Sequence, residues 1–292
     1  MDDQHIEFFE QQRPTLEGIA YRMLGSLADA SDVVQDTWLK WQLTDIQAID
    51  NPRGWLITVC TRLAVNQLQS ARVRREQYPG TWLPEPWVEP NPLAKIELDE
   101  SLSVALLLAL EALTPAERAA WLLHEVFDYS FNEVAAVLGK SSANCRQLAS
   151  RARRRLSDHK PQYTATPDQH RRLLDGFLAA ARDGNVERLT DLLAVDSRLY
   201  ADGGGKATTA AAVLNGSTEI ADFFAEVWGR QLARNIQLES RQQWYNGKPG
   251  MLLFENGVPA VAVTLDIRDD RILTIYALRN PDKLEPLCES RP

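Results

Sequence analysis

Cysteine and histidine are scarce in this chain of 292 residues, with three of the former and four of the latter. Cys60, Cys145 and Cys288 are widely separated, form no CxxC pair and leave at least one thiol unpaired, which argues against a disulfide framework or a cysteine zinc site. His5, His124, His159 and His170 show no paired spacing, so no metal and no histidine-based catalysis is expected. Long apolar runs are missing as well: none approaches the ~18 residues of a spanning helix. The opening MDDQHIEFFEQQ is acidic where a secretory signal would be basic and then apolar. These shortages predict a cytoplasmic chain with reduced thiols and no membrane attachment. No repeat of 20–50 residues is visible either. What remains, 45% hydrophobic and 25% charged residues, is ordinary for a globular protein with length for two or three domains.

The net charge of −8 hides a local concentration of the opposite sign. From Lys140 to Lys160 seven basic residues stand against Asp158 alone. Such an element can meet a polyanion over a narrow footprint, although the total argues against nonspecific coating of nucleic acid.

The first ~75 residues read as helices. Leu16, Ile19, Ala20, Met23 and Leu24 form one amphipathic stripe ending near Gly25; Val33, Val34, Thr37, Trp38 and Trp41 form a second, with Asp29 or Ser31 placed to cap it. Asn51-Pro52 starts a third helix whose stripe holds Leu56, Val59, Cys60 and Leu63 and whose far end is polar and basic. YPGTWLPEPWVEPNP, residues 78–92, has five prolines and reads as an extended linker, but Trp82, Leu83 and Trp87 predict that it docks on a surface. Helices resume from about Ile96. Thr114-Pro115-Ala116-Glu117 and Ser130-Phe131-Asn132-Glu133 both match a capping box. A short helix ending at Gly139, a tight turn and a longer basic helix form a helix-turn-helix pattern. Ser142, Asn144, Arg146 and Gln147 occupy the turns that would face base edges, and Arg151, Arg153, Arg154 and Arg155 follow where phosphates would be reached.

After PQYTATPDQ, helices are expected over 170–182, 186–193 and 218–230, then strands over 236–245, 251–255, 258–267 and 271–278. Turn signals at Asn246-Gly247, Asn256-Gly257 and Asp269-Asp270 separate the strands, so this part reads as an α+β domain.

DASDVVQDTWLKW, NPRGWLITVCTRLAVNQLQSARVRRE and FNEVAAVLGKSSANCRQLASRARRRL resemble the sigma-two and sigma-four domains of an extracytoplasmic-function sigma factor. WLPEP in the linker, Asp202-Gly203-Gly204-Gly205-Lys206 and Asn280-Pro281-Asp282-Lys283-Leu284 further resemble the sigma-J-like subgroup with a C-terminal SnoaL-like domain. The resemblance implies a sigma-two domain over 1–77, a linker over 78–95, a sigma-four domain over 96–160 and a SnoaL-like regulatory domain over 161–292. The implied fold is two all-α modules followed by an α+β cone.

By that resemblance the partners are core RNA polymerase and promoter DNA. Asp32, Gln35, Asp36 and Trp38 would meet the polymerase clamp helices. Asn66, with Arg62, Arg72, Arg74 and Arg75, would hold the melted −10 strand, a task needing polar groups for an extruded base and cations for the backbone. Trp82, Leu83, Pro84, Glu85 and Pro86, together with the DGGGK and NPDKL segments, would hold the domains together. The cone would carry a pocket with room for an unidentified small-molecule ligand. Tyr200, Asp202, Lys206, Trp244 and Asp266 could furnish polar groups there, but they form no convincing catalytic set, so a transcription initiation factor is expected and an enzyme is not.

Overall fold

The computed structural model of the chain describes residues 3–88, 102–157, 165–233 and 236–289. Two compact units result, Met1–Gln77 with Leu106–Lys160, and Tyr78–Ala105 with Pro161–Pro292. The stretch expected as a linker that docks on a surface groups with the C-terminal unit. Its residues 89–95, the helix start near Ile96, and His159 lie outside the described residues.

The first unit is helical: α1 (Asp3–Leu24), α2 (Leu27–Gln42), α3 (Pro52–Glu76), and, after α4 (Val104–Leu110), α5 (Pro115–Trp121), α6 (Phe131–Leu138) and α7 (Ser142–Leu156). Phe9, Leu16, Ile19, Met23, Val34 and Trp41 are buried where α1 and α2 meet the Leu56, Ile57, Cys60 and Leu68 face of α3. Asn51 accepts from the Gly54 N–H (2.9 Å) and Pro52 opens α3, as expected. α2 starts earlier than Asp29 or Ser31 would place it, because Ser26, just after the left-handed Gly25, is the cap (Asp29 N–H to Ser26 Oγ, 3.2 Å). Both predicted capping boxes are formed, at Thr114/Glu117 and Ser130/Glu133. Gly139, at φ 63°, ends α6 in the left-handed conformation that lets the chain turn at once into α7.

The second unit carries α8 (Pro167–Arg182), α9 (Val186–Leu192), α10 (Ser217–Ala233) and a six-stranded sheet of β1 (Leu193–Asp202), β2 (Leu214–Asn215), β3 (Leu238–Tyr245), β4 (Lys248–Glu255), β5 (Val258–Arg268) and β6 (Arg271–Leu278), closed by α11 (Pro281–Leu284) and α12 (Pro286–Glu289). Strand order is β2-β1-β6-β5-β4-β3, with β1 parallel to β6 and every other pair antiparallel. Asn246-Gly247, Asn256-Gly257 and Asp269-Asp270 all take positive φ, as tight hairpins require. Two expectations fail here. β1 is a strand where only the end of a helix and a loop were read, since its burial alternates irregularly around a register shift between Leu193 and Arg198. α8 begins at Pro167 rather than His170, because Thr166 and Gln169 form a capping box inside what looked like linker.

Helices cover one sheet face through Leu173, Phe177, Leu189, Ile220, Leu265 and Ile275. On α8, His170 is buried; its Nε2–H donates to the Leu265 carbonyl (2.8 Å) and its Nδ1 has no partner. Burial, only partly offset by that carbonyl, lowers its pKa from 6.5 to about 4. Between those values the unfolded chain binds a proton that the folded chain refuses, so stability is full above the unfolded value and falls as pH drops towards the folded one. The loss is on the order of 3 kcal/mol. His170→Asn keeps a donor for Leu265 without titrating. Its Tm, followed by calorimetry between about pH 7 and pH 4, should fall less steeply than that of the native chain; parallel curves would remove His170 as the cause.

Candidate functional site

In the first unit, Asp32, Gln35 and Asp36 are exposed on one side of α2, at i, i+3 and i+4, while Trp38 is half-buried against Phe9 (ring centroids 4.8 Å). Leu39 and Leu43 extend this surface with exposures of 48% and 90%. Sequence reading passed over both, although an apolar residue on the charged side of an amphipathic stripe is the available signal.

The basic end of α3 is not free. Arg62 donates from Nε to the Val137 carbonyl (2.7 Å) and from Nη2 to that of Ala136 (3.0 Å), capping the C-terminal end of α6, where a cation is favoured. Arg72 donates to the Leu113 carbonyl (3.0 Å). Arg74 pairs with Asp29 (3.1 Å). Arg75 pairs with Glu111 (2.5 Å) and also reaches the Leu24 carbonyl. Asn66, one turn beyond Arg62, is exposed.

Two residues that sequence reading missed organise this cluster. Arg118, 1% exposed, donates to the carbonyls of Leu110 (3.0 Å) and Met23 (2.8 Å) and to Glu111 (2.7 Å). Burial by itself would raise the Glu111 carboxyl, but Arg118 and Arg75 outweigh it and hold the group below the usual carboxylate range. Nothing in the local sequence distinguishes either residue from a helix-surface charge.

On α7, Asn144, Arg146, Gln147, Arg151, Arg153 and Arg154 are exposed along one side, with Cys145, Leu148, Ala149 and Ala152 buried on the other. Ser142 differs: the residue is half-buried and its hydroxyl has no hydrogen-bond partner. Arg146 lies over the Phe131 ring (5.5 Å). Arg155 pairs with Glu117 (2.7 Å), Arg151 lies 3.8 Å from the same carboxylate, and Arg153 pairs with Glu125. The helix thus shows a polar, basic face of about four turns whose arginines are partly neutralised.

In the second unit all three sequence landmarks converge on Asp202, at the end of β1, with 0% exposure. Its carboxylate accepts from Tyr78 Oη (2.6 Å), the Leu83 N–H (2.9 Å), the Gly204 N–H (3.0 Å) and Lys283 Nζ (2.8 Å). Lys283 also donates to the Leu83 carbonyl (2.6 Å) and sits over the rings of Trp82 (4.6 Å) and Tyr78 (5.1 Å). Asn280 donates to Tyr78 Oη (2.8 Å) and caps α11 through the Asp282 N–H. Burial and then the Asp202 carboxylate push the Tyr78 phenol far above its usual range, so it remains a donor. Around this centre, Lys206 pairs with Asp282 (2.6 Å). Pro281 opens α11 and Leu284 is buried. A side chain at Gly203 would meet the Ala207 carbonyl at 2.3 Å, at Gly204 Asn280 at 2.4 Å, and at Gly205 Pro79 at 2.7 Å, which accounts for three glycines in a row.

Leu83, Pro84 and Pro86 are buried and Glu85 half-buried. Leu83, Pro84 and Pro86 lie beside Tyr245, Thr264, Tyr276 and Leu278, on the sheet face that the helices leave open. Trp87 and Asn246 exchange hydrogen bonds through Asn246 N–H to Trp87 O (2.9 Å) and Trp87 N–H to Asn246 Oδ1 (3.1 Å). The linker therefore forms a third layer of this unit.

None of Tyr200, Asp202, Lys206, Trp244 and Asp266 lines the apolar cavity between sheet and helices. Asp266 is engaged by Lys248 and by Tyr276 Oη (2.7 Å). Among the described residues no group of three or more His, Cys, Asp or Glu side chains could hold a metal ion, and no helix is long and apolar enough to cross a membrane.

Residues 8–74 match sigma-70 region 2 and residues 103–156 match sigma-70 region 4. The ECF RNA polymerase sigma factor SigJ of Mycobacterium tuberculosis is 37% identical over 300 residues, covering 98% of this chain and 96% of the relative. The chain belongs to the ECF RNA polymerase sigma factors. A probable ECF sigma factor, SigI, of the same species is 31% identical over 281 residues, covering 94% of this chain and 93% of its own. The crystal structure of the Mycobacterium tuberculosis sigma factor SigJ matches with a TM-score of 0.74 and 34% identity over 96% of this chain and 98% of that one. The fold of this sigma factor is thus two helical sigma regions and a SnoaL-like α+β domain.

Removing one partner of a buried ion pair strands the other, at a cost of about 3–5 kcal/mol. Asp202→Ala and Lys283→Met should each destabilise the C-terminal unit by that amount, read from the urea midpoint of its transition. Tyr78→Phe, which deletes the hydrogen bonds to Asp202 and from Asn280, should cost about 2 kcal/mol. Equal small effects of all three would show that the pair is not the centre of the dock.

Proposed function

We propose that this sigma factor directs core RNA polymerase to promoters, reading the −10 element with the α3 surface and the −35 element with α7, while its SnoaL-like domain governs the freedom of the chain between them. The observation that carries this reading is the bond between Arg62 and the Val137 carbonyl, 2.7 Å long. It joins a residue assigned to the −10 strand to the helix that supports the −35 reader. Promoter elements named for positions 25 base pairs apart lie roughly 85 Å apart along duplex DNA, at 3.4 Å per base pair. Two surfaces bonded to each other cannot occupy both ends of such a span, so the helical unit must open before it reads a promoter.

The proposed opener is core polymerase, taken up through Asp32, Gln35, Asp36, Trp38 and the neighbouring Leu39. On release, Arg62, Arg72, Arg74 and Arg75 exchange carbonyls and carboxylates for the phosphates of the melted strand, beside Asn66. On α7, Asn144, Arg146 and Gln147 face base edges, and Arg151, Arg153 and Arg154 the phosphates.

The regulatory part rests on Asp202 and Lys283. While they hold Tyr78, Trp82 and Leu83, residues 78–88 are not available as tether. At about 3.3 Å per extended residue, their release adds on the order of 35 Å of reach. Because the dock is intramolecular, contacts too weak to hold a separate peptide suffice, at an effective concentration near millimolar. Small changes at the dock thereby alter how readily the two regions separate.

Promoter fragments should bind negligibly to the sigma factor alone and give specific run-off transcripts once core enzyme is added. Tight, specific duplex binding without polymerase would make this an ordinary repressor or activator. Fluorophores placed at positions 11 and 132, both exposed and outside the proposed DNA and polymerase contacts, should show energy transfer in the free chain that falls on forming the promoter complex with core enzyme. Unchanged transfer in a complex that initiates would overturn the opening step. Chains truncated near Pro161 and before Asn280 should differ from the full chain in transcript yield; indistinguishable yields would remove the regulatory role of the SnoaL-like domain.

A further inference from the structure

The second unit encloses a cavity of about 310 Å³ between the sheet and α8 and α10, at the small end of the size range of ligand pockets. Phe177, Phe223, Phe224, Trp228, Leu253 and Val263 give it an apolar and largely aromatic wall. Its polar edge is Arg279, which donates from Nη1 to the Thr208 carbonyl (2.9 Å) and pairs through Nη2 with Glu255 (3.3 Å). The remaining Nε–H of Arg279 is buried without a partner, an orphaned donor on the rim of an apolar space. Leaving such a group unsatisfied is unfavourable, and an acceptor atom on a bound molecule recovers the loss. Glu255 balances the Arg279 guanidinium, and Arg230, the other cation of the lining, pairs with Glu226 (3.4 Å), so the site offers one buried donor without a partner and little net charge. That combination favours a neutral ligand over an anion.

Arg279 also belongs to the linker dock. Its backbone N–H donates to the Asp202 carbonyl (2.6 Å), and that of Asn280, the next residue, does the same (3.0 Å), while the Asn280 side chain reaches Tyr78. Thr208, the acceptor of Nη1, closely follows the Gly203–Lys206 loop, and Ala207, Thr208 and Thr209 form part of the cavity wall. One residue thus touches both the cavity and the aspartate that holds residues 78–83.

We propose that this cavity is a regulatory site for a neutral, flat, apolar molecule with a single hydrogen-bond acceptor, such as an aromatic ketone, which binds with its oxygen on Arg279 Nε and tightens the hold of Asp202 on the linker. The regulatory meaning of that coupling rests on the function proposed above; the binding itself does not. By reciprocity, a ligand that tightens the dock is bound more weakly when the dock is broken, by the same factor.

The test uses three naphthalene probes with the full chain and no polymerase: the neutral ketone 6-propionyl-2-dimethylaminonaphthalene, the same dimethylaminonaphthalene without the ketone, and an anilinonaphthalene sulfonate. The ketone should bind saturably with a blue-shifted emission, the ketone-free compound about tenfold more weakly, one missing hydrogen bond being worth that much, and the sulfonate also more weakly, because Glu255 already balances the Arg279 charge. Ala277→Phe, which fills the cavity, should abolish binding. Arg279→Lys, which keeps a charge for Glu255 but lacks Nε, should reduce it to the level of the ketone-free probe. At saturation, amide exchange at Leu83, whose N–H bonds Asp202, should slow about fivefold, and Lys283→Met should weaken probe binding by the same factor. Equal affinity for all three probes, or binding that survives both variants, overturns the site. Selective binding with unchanged exchange at Leu83 overturns the coupling. Because no step involves polymerase, run-off transcription can succeed or fail independently of either result.

Discussion

A carboxylate with no solvent access and an ammonium nearly as buried define the C-terminal unit, and Asp202 and Lys283 are tolerable there only because their hydrogen-bonding capacity is filled. Desolvating two charges costs about as much as their attraction returns, so the pair by itself is a poor source of net stability. Its consequence is selectivity. Of the four donors to Asp202, two come from the linker, at Tyr78 and Leu83; of the groups around Lys283, the Leu83 carbonyl and the Trp82 and Tyr78 rings come from the same place. Only a docked linker completes the shell. On the function proposed above the linker also leaves; water then enters and repairs part of the loss, which narrows the gap between the docked and undocked states. A near balance of this kind is what a tether needs if modest signals are to shift it.

The helical unit solves a related problem with the opposite chemistry. In the function proposed above its arginines meet phosphates in one state and need acceptors in the other. Arg62 and Arg72 use neutral carbonyls, whereas Arg75 and Arg118 share Glu111. Hydrogen bonds between charged partners are roughly twice as strong as neutral ones. On that proposal release is graded: Arg62 and Arg72 exchange carbonyls for phosphates at small cost, while the Glu111 cluster, which also holds Arg75, resists. Arg118, tied to two carbonyls as well, has no such alternative and stays with the core of the closed form.

How much of this was legible in the sequence follows from the range of each interaction. Caps act over three residues, so Asn51, Thr114 and Ser130 were readable, and the two helices whose starts were misplaced had caps at Ser26 and Thr166 that lay within the same short reach. The hairpin turns were readable because Asn-Gly and Asp-Asp pairs accept positive φ. β1 was not, because it lies between a helix and a loop, and its register shift spoils the alternation that marks a strand. The WLPEP, DGGGK and NPDKL segments stood out as landmarks by resemblance, yet their pairing did not. Nothing local to Asp202 or Lys283, 81 positions apart, announces the other. For the same reason Tyr78, Glu111 and Arg118 were passed over: their partners are chosen by tertiary packing.

What brings those partners together is one topological choice. β1 lies parallel to β6, and the register sets Asp202 beside Leu278 at the end of both strands. The chain leaving β6 must then pass Asp202, whose carbonyl takes the N–H groups of Arg279 and Asn280, and the short α11 delivers Lys283 to the carboxylate. Side chains alternate across a sheet with period two. Ala201 and Ala277 consequently face the cavity, while Tyr276 and Leu278 face the linker. The two strand ends present a ligand-sized space on one side and the dock on the other, separated by a single sheet thickness. An antiparallel neighbour in place of β6 would have carried the chain away from Asp202 after the strand, and neither the ion pair nor the closeness of the two faces would follow.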